Sequence, residues 1–316
     1  MKTIFITGKG GVGKSSISAN IAYQLVERGN RILAVSFDPA HNLGDVFNIS
    51  LSHKRVKHSS NLDLQEINLE KYKADYIQQN INLMQDIYGY LKPFNLENYF
   101  NILKYSPGIE EYASLCALEE LMHEDGKYDY IIIDTPPTGL TLRIFALPSI
   151  MLNWIDKLIN IRKKILKKRY TIYNISGKDY KNTTLPYNEK DDKVIKKLYY
   201  FQNKYQDLKK FLQSNNNCIA VVFNPDYLSL KESERLIKGL KELKLPLKVA
   251  FNNKTNDCNK EYAQKIERML FTGVADIIIK RVNEVECVKM ENNLLKENLA
   301  DIFIKGDIYV SKHKYN

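Results

Sequence analysis

The feature that most constrains the fold of this chain is a glycine-rich segment near its start. The segment reads GKGGVGKSS over residues 8–16 and fits the pattern G-x-x-x-x-G-K-[ST]. An apolar run over residues 3–7 precedes it, and a helical pattern begins near Ser18. Strand, glycine-rich loop and helix in this order are typical of a phosphate-binding loop, in which backbone N–H groups and the helix N-terminus face the phosphates. The segment therefore predicts a nucleotide site on an α/β sheet.

The residues of this loop carry the groups that a bound ATP and its Mg²⁺ ion need. Those predicted to bind the nucleotide are Gly8, Lys9, Gly10, Gly11, Val12, Gly13, Lys14, Ser15 and Ser16. Lys14 is expected to reach the β- and γ-phosphates, Ser15 to bind Mg²⁺ and Ser16 to bond the α-phosphate. Lys9 is either a solvated charge or a cation that neutralises transition-state charge in a neighbouring subunit.

Two further apolar strands end in acidic residues. One strand leads to Asp38 in the segment DPAHNLGD, and the other leads to Asp134 in the segment DTPPTGLTLR. Ligands of an open α/β sheet bind at the carboxyl ends of its strands, so both aspartates are expected at the nucleotide site. Asp38 is predicted to orient or deprotonate the attacking water, with helix capping as the alternative. Asp134 is predicted to hold Mg²⁺ through water.

The three segments, in this order, resemble the arsenite-pump ATPase family, which includes the ATPase that guides tail-anchored proteins to their membrane. The resemblance covers most of the chain and implies ATP hydrolysis, with Asp38 and Lys9 as catalytic residues. The pump's own ATPase is a tandem of two such halves, so this single half implies a homodimer in which Lys9 acts across the interface. Asn252 is implied to read the adenine edge, with a simple turn residue as the alternative. The family commonly has histidine where Leu140 stands, and leucine cannot take part in a hydrogen-bonded relay.

Apolar runs alternate with helical patterns along the chain. Strands are predicted at residues 3–7, 31–36, 62–67, 128–133, 218–223, 247–251 and 275–280. This alternation predicts a doubly wound, mostly parallel α/β sheet with a P-loop. The 316 residues are predicted to form a single P-loop ATPase domain, 1–316, with helical insertions at about 69–125 and 144–212.

Apolar residues repeat at helical spacing in both insertions. The first insertion has a stripe of Ile77, Ile81, Met84, Tyr88 and Leu91. The second has a stripe of Ile150, Trp154, Leu158, Ile161 and Ile165, with Met151, Ile155 and Ile159 beside it. Helices that are apolar over most of their circumference are expected to bury both sides, and ordinary core packing is one interpretation. The resemblance implies another, a groove that shields the membrane helix of a client protein. Residues 170–187 are predicted to form a loop.

Charge, apolar runs and cysteines indicate the setting in which the protein works. The net charge is +10, and a basic excess of about that size lies between Asp156 and Lys210. It fits an anionic membrane surface, nucleic acid or a merely solvated surface. We expect no apolar run of membrane-spanning length and no signal peptide, which indicates the cytoplasm. The cysteines Cys116, Cys218, Cys258 and Cys287 form no C-x-x-C pair, so a structural zinc site is not expected.

The leading hypothesis is therefore a dimeric, ATP-driven targeting factor that binds apolar membrane helices and delivers them to a membrane receptor or surface. One alternative is the ATPase subunit of a metalloid efflux pump, against which the scattered cysteines speak. A second alternative is a positioning ATPase that binds nucleic acid or membrane through the basic segment. The DPAHN segment speaks against that class and makes nucleic acid a disfavoured partner. A family member whose client is not a membrane helix also stays open.

Overall fold

The computed structural model describes residues 1–38, 42–87, 106–124, 126–176, 188–274, 276–283 and 298–304. Residues 39–41 of the DPAHN segment, Tyr88 and Leu91 of the first stripe, and Cys287 lie outside these ranges.

The first secondary-structure elements of the chain alternate strand and helix, as the sequence predicts. The strands are β1 (Lys2–Gly8), β2 (Ile32–Ser36), β3 (Val56–Ser59), β4 (Leu62–Glu66), β5 (Tyr130–Asp134), β6 (Asn217–Phe223), β7 (Leu247–Thr255) and β8 (Ile278–Asn283). The helices are α1 (Lys14–Glu27), α2 (Asn42–Phe47), α3 (Leu69–Ile87), α4 (Ile109–Met122), α5 (Thr138–Ser176), α6 (Lys193–Leu212), α7 (Tyr227–Glu242), α8 (Lys260–Phe271) and α9 (Asp301–Ile304).

The strands form one eight-stranded sheet in the order β3-β4-β2-β5-β1-β6-β7-β8. The pairs within it are parallel except β3 with β4, which is antiparallel. The predicted mostly parallel α/β sheet is confirmed. The parallel register sets Asp134 beside Ile6 on one neighbouring strand and beside Ser36 on the other, so the carboxyl ends of β1, β2 and β5 meet.

Strand β3 was not predicted, because its four residues, VKHS, have no apolar pattern of their own. They are half-buried or exposed, and they form a strand only by pairing with β4 at the edge of the sheet. Strand β8 also begins later than predicted, at Ile278, and extends to Asn283.

Both faces of the central strands are buried, as a parallel sheet requires. Ile4 and Ile6 of β1 belong to the core formed with α1. Phe5 points to the opposite face, where its ring meets Phe145 of α5 edge-on at 5.4 Å between centroids. Alternate residues of one strand therefore pack against different helices.

The chain divides into two compact units. The first comprises Met1–Tyr72, Glu110–Phe145 and Phe211–Asn316 and contains the whole sheet. The second comprises Lys73–Ile109 and Ala146–Lys210. Helix α4, apart from its first residue Ile109, thus belongs to the first unit, although it lies within the predicted insertion at about 69–125.

Helix α5 is longer than predicted, because it continues through Tyr170 to Ser176, where the sequence favoured a loop. Its residues Thr138–Ile175 are also long and apolar enough to cross a membrane by length and composition: an 18-residue window within them has a mean hydropathy of 1.3, and 28% of that window is buried. No such run was expected. Residues 144–161 meet the criterion because they contain only two charged side chains, Asp156 and Lys157.

Candidate nucleotide site

The glycine-rich loop joins β1 to α1, and two of its glycines are required by the surrounding structure. A Cβ atom on Gly8 would lie 2.2 Å from the carbonyl oxygen of Val222, so β1 and β6 could not approach as they do. Gly13 has a φ of 94°, and a Cβ there would lie 2.4 Å from Nδ2 of Asn253. Only glycine adopts this left-handed backbone without strain in so confined a space.

Asn253 is a residue of this site that the sequence analysis missed. It lies two residues before Thr255, the last residue of β7. Its Nδ2 donates a hydrogen bond to the carbonyl oxygen of Val12 at 2.8 Å. Lys254 also donates to the carbonyl oxygen of Gly11, at 3.4 Å. The end of β7 therefore braces the loop from its side. The sequence signal was the Asn-Asn pair, of which only Asn252 was singled out.

Four of the predicted residues converge at the carboxyl ends of β1, β2 and β5. Lys14 is buried, and its Nζ donates to the carbonyl oxygen of Lys9 at 3.3 Å and lies 4.0 Å from Oδ2 of Asp38. The hydroxyl of Ser15 donates to Oδ2 of Asp134 at 2.5 Å. Two carboxylates, one ammonium and one hydroxyl thus share a small volume at the N-terminus of α1.

The carboxyl group of Asp134 is nearly inaccessible to solvent, and this burial raises its pKa to about 7. The hydrogen bond from Ser15 and the charge of Lys14 act in the opposite direction. Its Oδ1 is buried and has no hydrogen-bond partner among the described residues. A buried carboxylate oxygen without a partner, next to a serine hydroxyl, has the oxygen-donor chemistry that suits Mg²⁺.

The remaining predicted loop residues surround this cluster. Gly10 and Gly11 are exposed, Lys9 and Ser16 are half-buried, and Val12 is buried. A Cβ on Gly10 or Gly11 would meet no atom within 4 Å. The crest of the loop is therefore open on its outer side, and its backbone is accessible to a ligand.

Segments next to the site are held by threonine hydroxyls. Thr135 donates to the carbonyl oxygen of Ile6 at 3.0 Å, and Thr141 donates to that of Pro136 at 2.6 Å. These bonds position the start of α5 relative to β1. Leu140 is half-buried in the first turn of α5.

Asn252 lies one residue before Asn253 and is fully buried. Its Nδ2 donates to Oε1 of Glu267 at 2.8 Å and to the carbonyl oxygen of Ala263 at 3.3 Å. Its Oδ1 has no hydrogen-bond partner among the residues that the structure describes. The side chain therefore offers an unused acceptor at the carboxyl end of β7.

Comparison with known proteins agrees with this architecture. A model of the anion-transporting ATPase family matches residues 1–298. An Aquifex aeolicus protein named as arsenical pump-driving ATPase 2 is 32% identical over 80% of this chain and 80% of its own length. A second Aquifex aeolicus protein, named as arsenical pump-driving ATPase 1, is 31% identical, and the chain spans 58% of its length. An Entamoeba dispar protein named ATPase ASNA1 homolog is 27% identical over 97% of this chain and 90% of its own length.

The family match spans the loop, both acidic strand ends and all eight strands. The arsenical pump-driving relatives and the ASNA1 homolog are all named as ATPases. The predicted resemblance is confirmed: the chain belongs to the anion-transporting ATPase family, and it binds and hydrolyses a nucleotide.

Proposed function

We propose that this protein is a homodimeric, Mg²⁺-dependent ATPase that binds the apolar membrane helices of tail-anchored proteins and releases them in a nucleotide-dependent cycle. The observation that carries this proposal is an apolar stripe on the surface of α5 within the second unit. Relatives named ATPase ASNA1 homolog support the targeting branch of the family.

The stripe comprises Ile150, Trp154, Leu158, Ile161 and Ile165, all of them exposed. Trp154 is 59% exposed and Ile161 is 54% exposed, whereas Ile159 of the same helix is 6% exposed. Steps of three and four residues keep the stripe on one side of the helix over about 22 Å. Large side chains are rarely left in water in such a row unless they bind another apolar surface.

The continuation of α5 extends this surface. Ile172 and Ile175 are exposed and follow the same spacing. The extended stripe, from Ile150 to Ile175, is about 37 Å long at 1.5 Å per residue. A membrane helix of about 20 residues is about 30 Å long, so the stripe is long enough to cover the whole length of the client's helix.

Lysines lie within or beside the stripe, and we propose that they contact the membrane or its receptor when the client is delivered. At 100° per residue, Lys157, Lys164 and Lys168 lie within or beside it, and all three are exposed. Apolar side chains bordered by lysines favour an anionic lipid surface or an acidic receptor. We therefore propose that the protein works in the cytoplasm, where it delivers its client to such a membrane.

The cluster at the strand ends supports the chemical roles. Lys14 is proposed to bind the β- and γ-phosphates, and Ser15 and Asp134 to hold Mg²⁺, which supplies charge neutralisation when bound. Asp38 is proposed to orient the attacking water; its Oδ2 already lies 4.0 Å from Nζ of Lys14. Asp38→Asn is expected to lower kcat about a hundredfold while ATP binding persists.

Lys9 is proposed to act across the dimer interface. We expect Lys9→Ala to abolish ATP-dependent dimerisation measured by light scattering, because the cation that neutralises the partner's phosphates is lost. Unchanged dimer closure in this variant would contradict the role in trans. Lys57→Ala, which removes an exposed lysine of β3, serves as the control.

The targeting function is tested by co-expression with a protein that carries a C-terminal membrane helix, followed by pull-down and size analysis. We expect a soluble complex that requires the client's apolar helix and dissociates after ATP hydrolysis. Failure of the folded, active ATPase to form this complex would refute the proposal.

A second candidate function, the ATPase of a metalloid efflux pump, is favoured by the names of the Aquifex aeolicus relatives. It predicts that arsenite stimulates turnover. The described part of the chain contains no group of three or more His, Cys, Asp or Glu side chains arranged to hold a metal ion. Turnover with and without arsenite separates this candidate from the first.

A further inference from the structure

We propose that Glu267, held in place by Arg281, fixes the orientation of the Asn252 amide and so makes the base subsite prefer a purine with an amino group at C6. This inference rests on the proposed ATPase function and on the role that the family resemblance implies for Asn252, reading the adenine edge. It assigns the preference to two residues outside the nucleotide-binding motifs.

The orientation of the Asn252 amide follows from its neighbours. An asparagine side chain has an oxygen and a nitrogen of nearly equal size, so its shape alone does not decide which atom points where. Here the atom on one side faces the carboxylate of Glu267 at 2.8 Å and the carbonyl oxygen of Ala263 at 3.3 Å. Both groups only accept hydrogen bonds, so the NH₂ group must face them. Both amide hydrogens are thereby engaged, and the oxygen is left for a ligand.

Arg281 holds the carboxylate that imposes this orientation. Its Nε donates to Oε1 of Glu267 at 2.8 Å, and its second nitrogen donates to Oε2 at 2.7 Å. A planar guanidinium that binds both oxygens of a carboxylate prevents the carboxylate from rotating. The carboxylate side chain of Glu267 is only 10% exposed, so little water competes for it. The hydrogen bonds from Arg281 of β8 to Glu267 of α8, and from Asn252 of β7 to Glu267, thus fix the orientation of the Asn252 amide.

The unused oxygen belongs to the end of the sheet where the nucleotide is expected. Asn253, the next residue, donates to the carbonyl oxygen of Val12 in the phosphate-binding loop at 2.8 Å. Adjacent residues of a strand point to opposite faces, so the loop adjoins one face of β7 and the Asn252 amide lies on the other. A buried acceptor without a donor costs free energy, and a ligand that supplies an N–H group recovers it.

The predicted preference follows from the chemistry at C6 of the purine. Adenine carries an amino group there, which can donate to Oδ1 of Asn252. Hypoxanthine and guanine carry a carbonyl oxygen, which would face the amide oxygen without a shared hydrogen. If Glu267 did not hold the amide, Asn252 could turn its NH₂ group towards that carbonyl and accept either base. Selectivity here therefore comes from the exclusion of one amide orientation.

ATP and ITP make a matched pair for the test, because they differ at C6 and the adjacent ring nitrogen. We would measure their dissociation constants with Mg²⁺ present for the wild type, Glu267→Ala, Asn252→Ala and the control Glu261→Ala, an exposed glutamate of the same helix. The wild type and the control are expected to prefer ATP by about tenfold or more, since a buried polar group is left unpaired with ITP. Glu267→Ala is expected to reduce this preference to about threefold or less. In steady-state turnover, its loss in kcat/KM for ATP is expected in KM and not in kcat.

The two parts of the proposal fail differently. If Asn252→Ala loses the preference and a folded Glu267→Ala keeps it, the orienting role of Glu267 is wrong and base reading by Asn252 stands. If Asn252→Ala keeps the preference, the proposed role of Asn252 is itself wrong. Arg281→Met provides a second variant should Glu267→Ala not fold, because it leaves the Glu267–Asn252 hydrogen bond in place. It is expected to show an intermediate preference, and an unchanged one would overturn the role of Arg281.

Discussion

The carboxyl end of the sheet and the outer face of α5 differ in what each leaves unsatisfied. At the sheet end, polar groups are buried, and Oδ1 of Asp134 and Oδ1 of Asn252 lack hydrogen-bond partners among the described residues. On α5, apolar groups such as Trp154 and Ile161 are exposed to water. Each arrangement costs free energy in the isolated chain, and each is relieved by a ligand of the matching chemistry. A polar ligand is therefore expected at the first region and an apolar one at the second.

The largest expected effect separates the two regions by activity. Lys14→Ala is expected to lower kcat by about a thousandfold, because it removes the buried ammonium group from the phosphate site. Binding of a membrane-helix client in the absence of nucleotide should change little. ATPase assays and pull-downs on the same preparation check both statements, and Lys57→Ala is the control. Substantial residual turnover would remove Lys14 from the catalytic site.

The second prediction compares two isoleucines of α5 that are two residues apart. Ile159→Ala is expected to destabilise the protein by about 2–5 kcal/mol, because the buried side chain leaves a cavity. Ile161→Ala is expected to change the free energy of unfolding by less than about 0.5 kcal/mol, since its side chain is exposed. Ile161→Ala should instead weaken client binding. Urea denaturation and client pull-down test the pair, and equal losses of stability would mean that the stripe is covered in solution.

The third prediction concerns two glycines of the phosphate-binding loop. Gly13→Ala is expected to cost about 1–3 kcal/mol, because a Cβ would strain the left-handed backbone and meet Asn253. Gly10→Ala is expected to cost less than about 0.5 kcal/mol, as a Cβ there meets no atom within 4 Å. Thermal unfolding without nucleotide compares them. Equal costs would show that the brace from Asn253 does not restrain the loop.

The smallest expected effect lies at the periphery of the first unit and depends on pH. The hydrogen bond from Arg55, at 2.8 Å, lowers the pKa of Glu124 from 4.5 to about 2. Because the folded state favours the ionised carboxylate, this pair stabilises the protein fully above about pH 4.5 and loses its effect as the pH falls towards 2. Solvent screens the pair, so its contribution is about 1 kcal/mol or less.

Glu124→Gln removes the ionisable group and tests this expectation. The difference in Tm between wild type and variant should be largest near pH 6 and should shrink towards pH 3. A difference that does not vary with pH would show that the ion pair contributes nothing to stability.

Much of the sheet and of the candidate site could be predicted because the signals are local. The loop of residues 8–16, Asp38 and Asp134 each adjoin an apolar strand, and parallel strands bring their carboxyl ends to one edge. Strand β3 could not be predicted, since its pairing with β4 is not visible in its four residues. Asn253 was missed because its role depends on contact with Val12, which is distant in sequence.

The sequence by itself determined the order of the seven strands other than β3, the phosphate-binding loop and the family, because each depends on neighbouring residues. Only the tertiary structure decided which apolar stripe of α5 is exposed, since periodicity reports that residues share a face and not what covers that face. It also decided which way the Asn252 amide points, because this depends on Glu267 and Arg281 from two other elements. Hydrogen-bond orientation and solvent exposure are properties of packed surfaces, and these form only when distant segments of the chain meet.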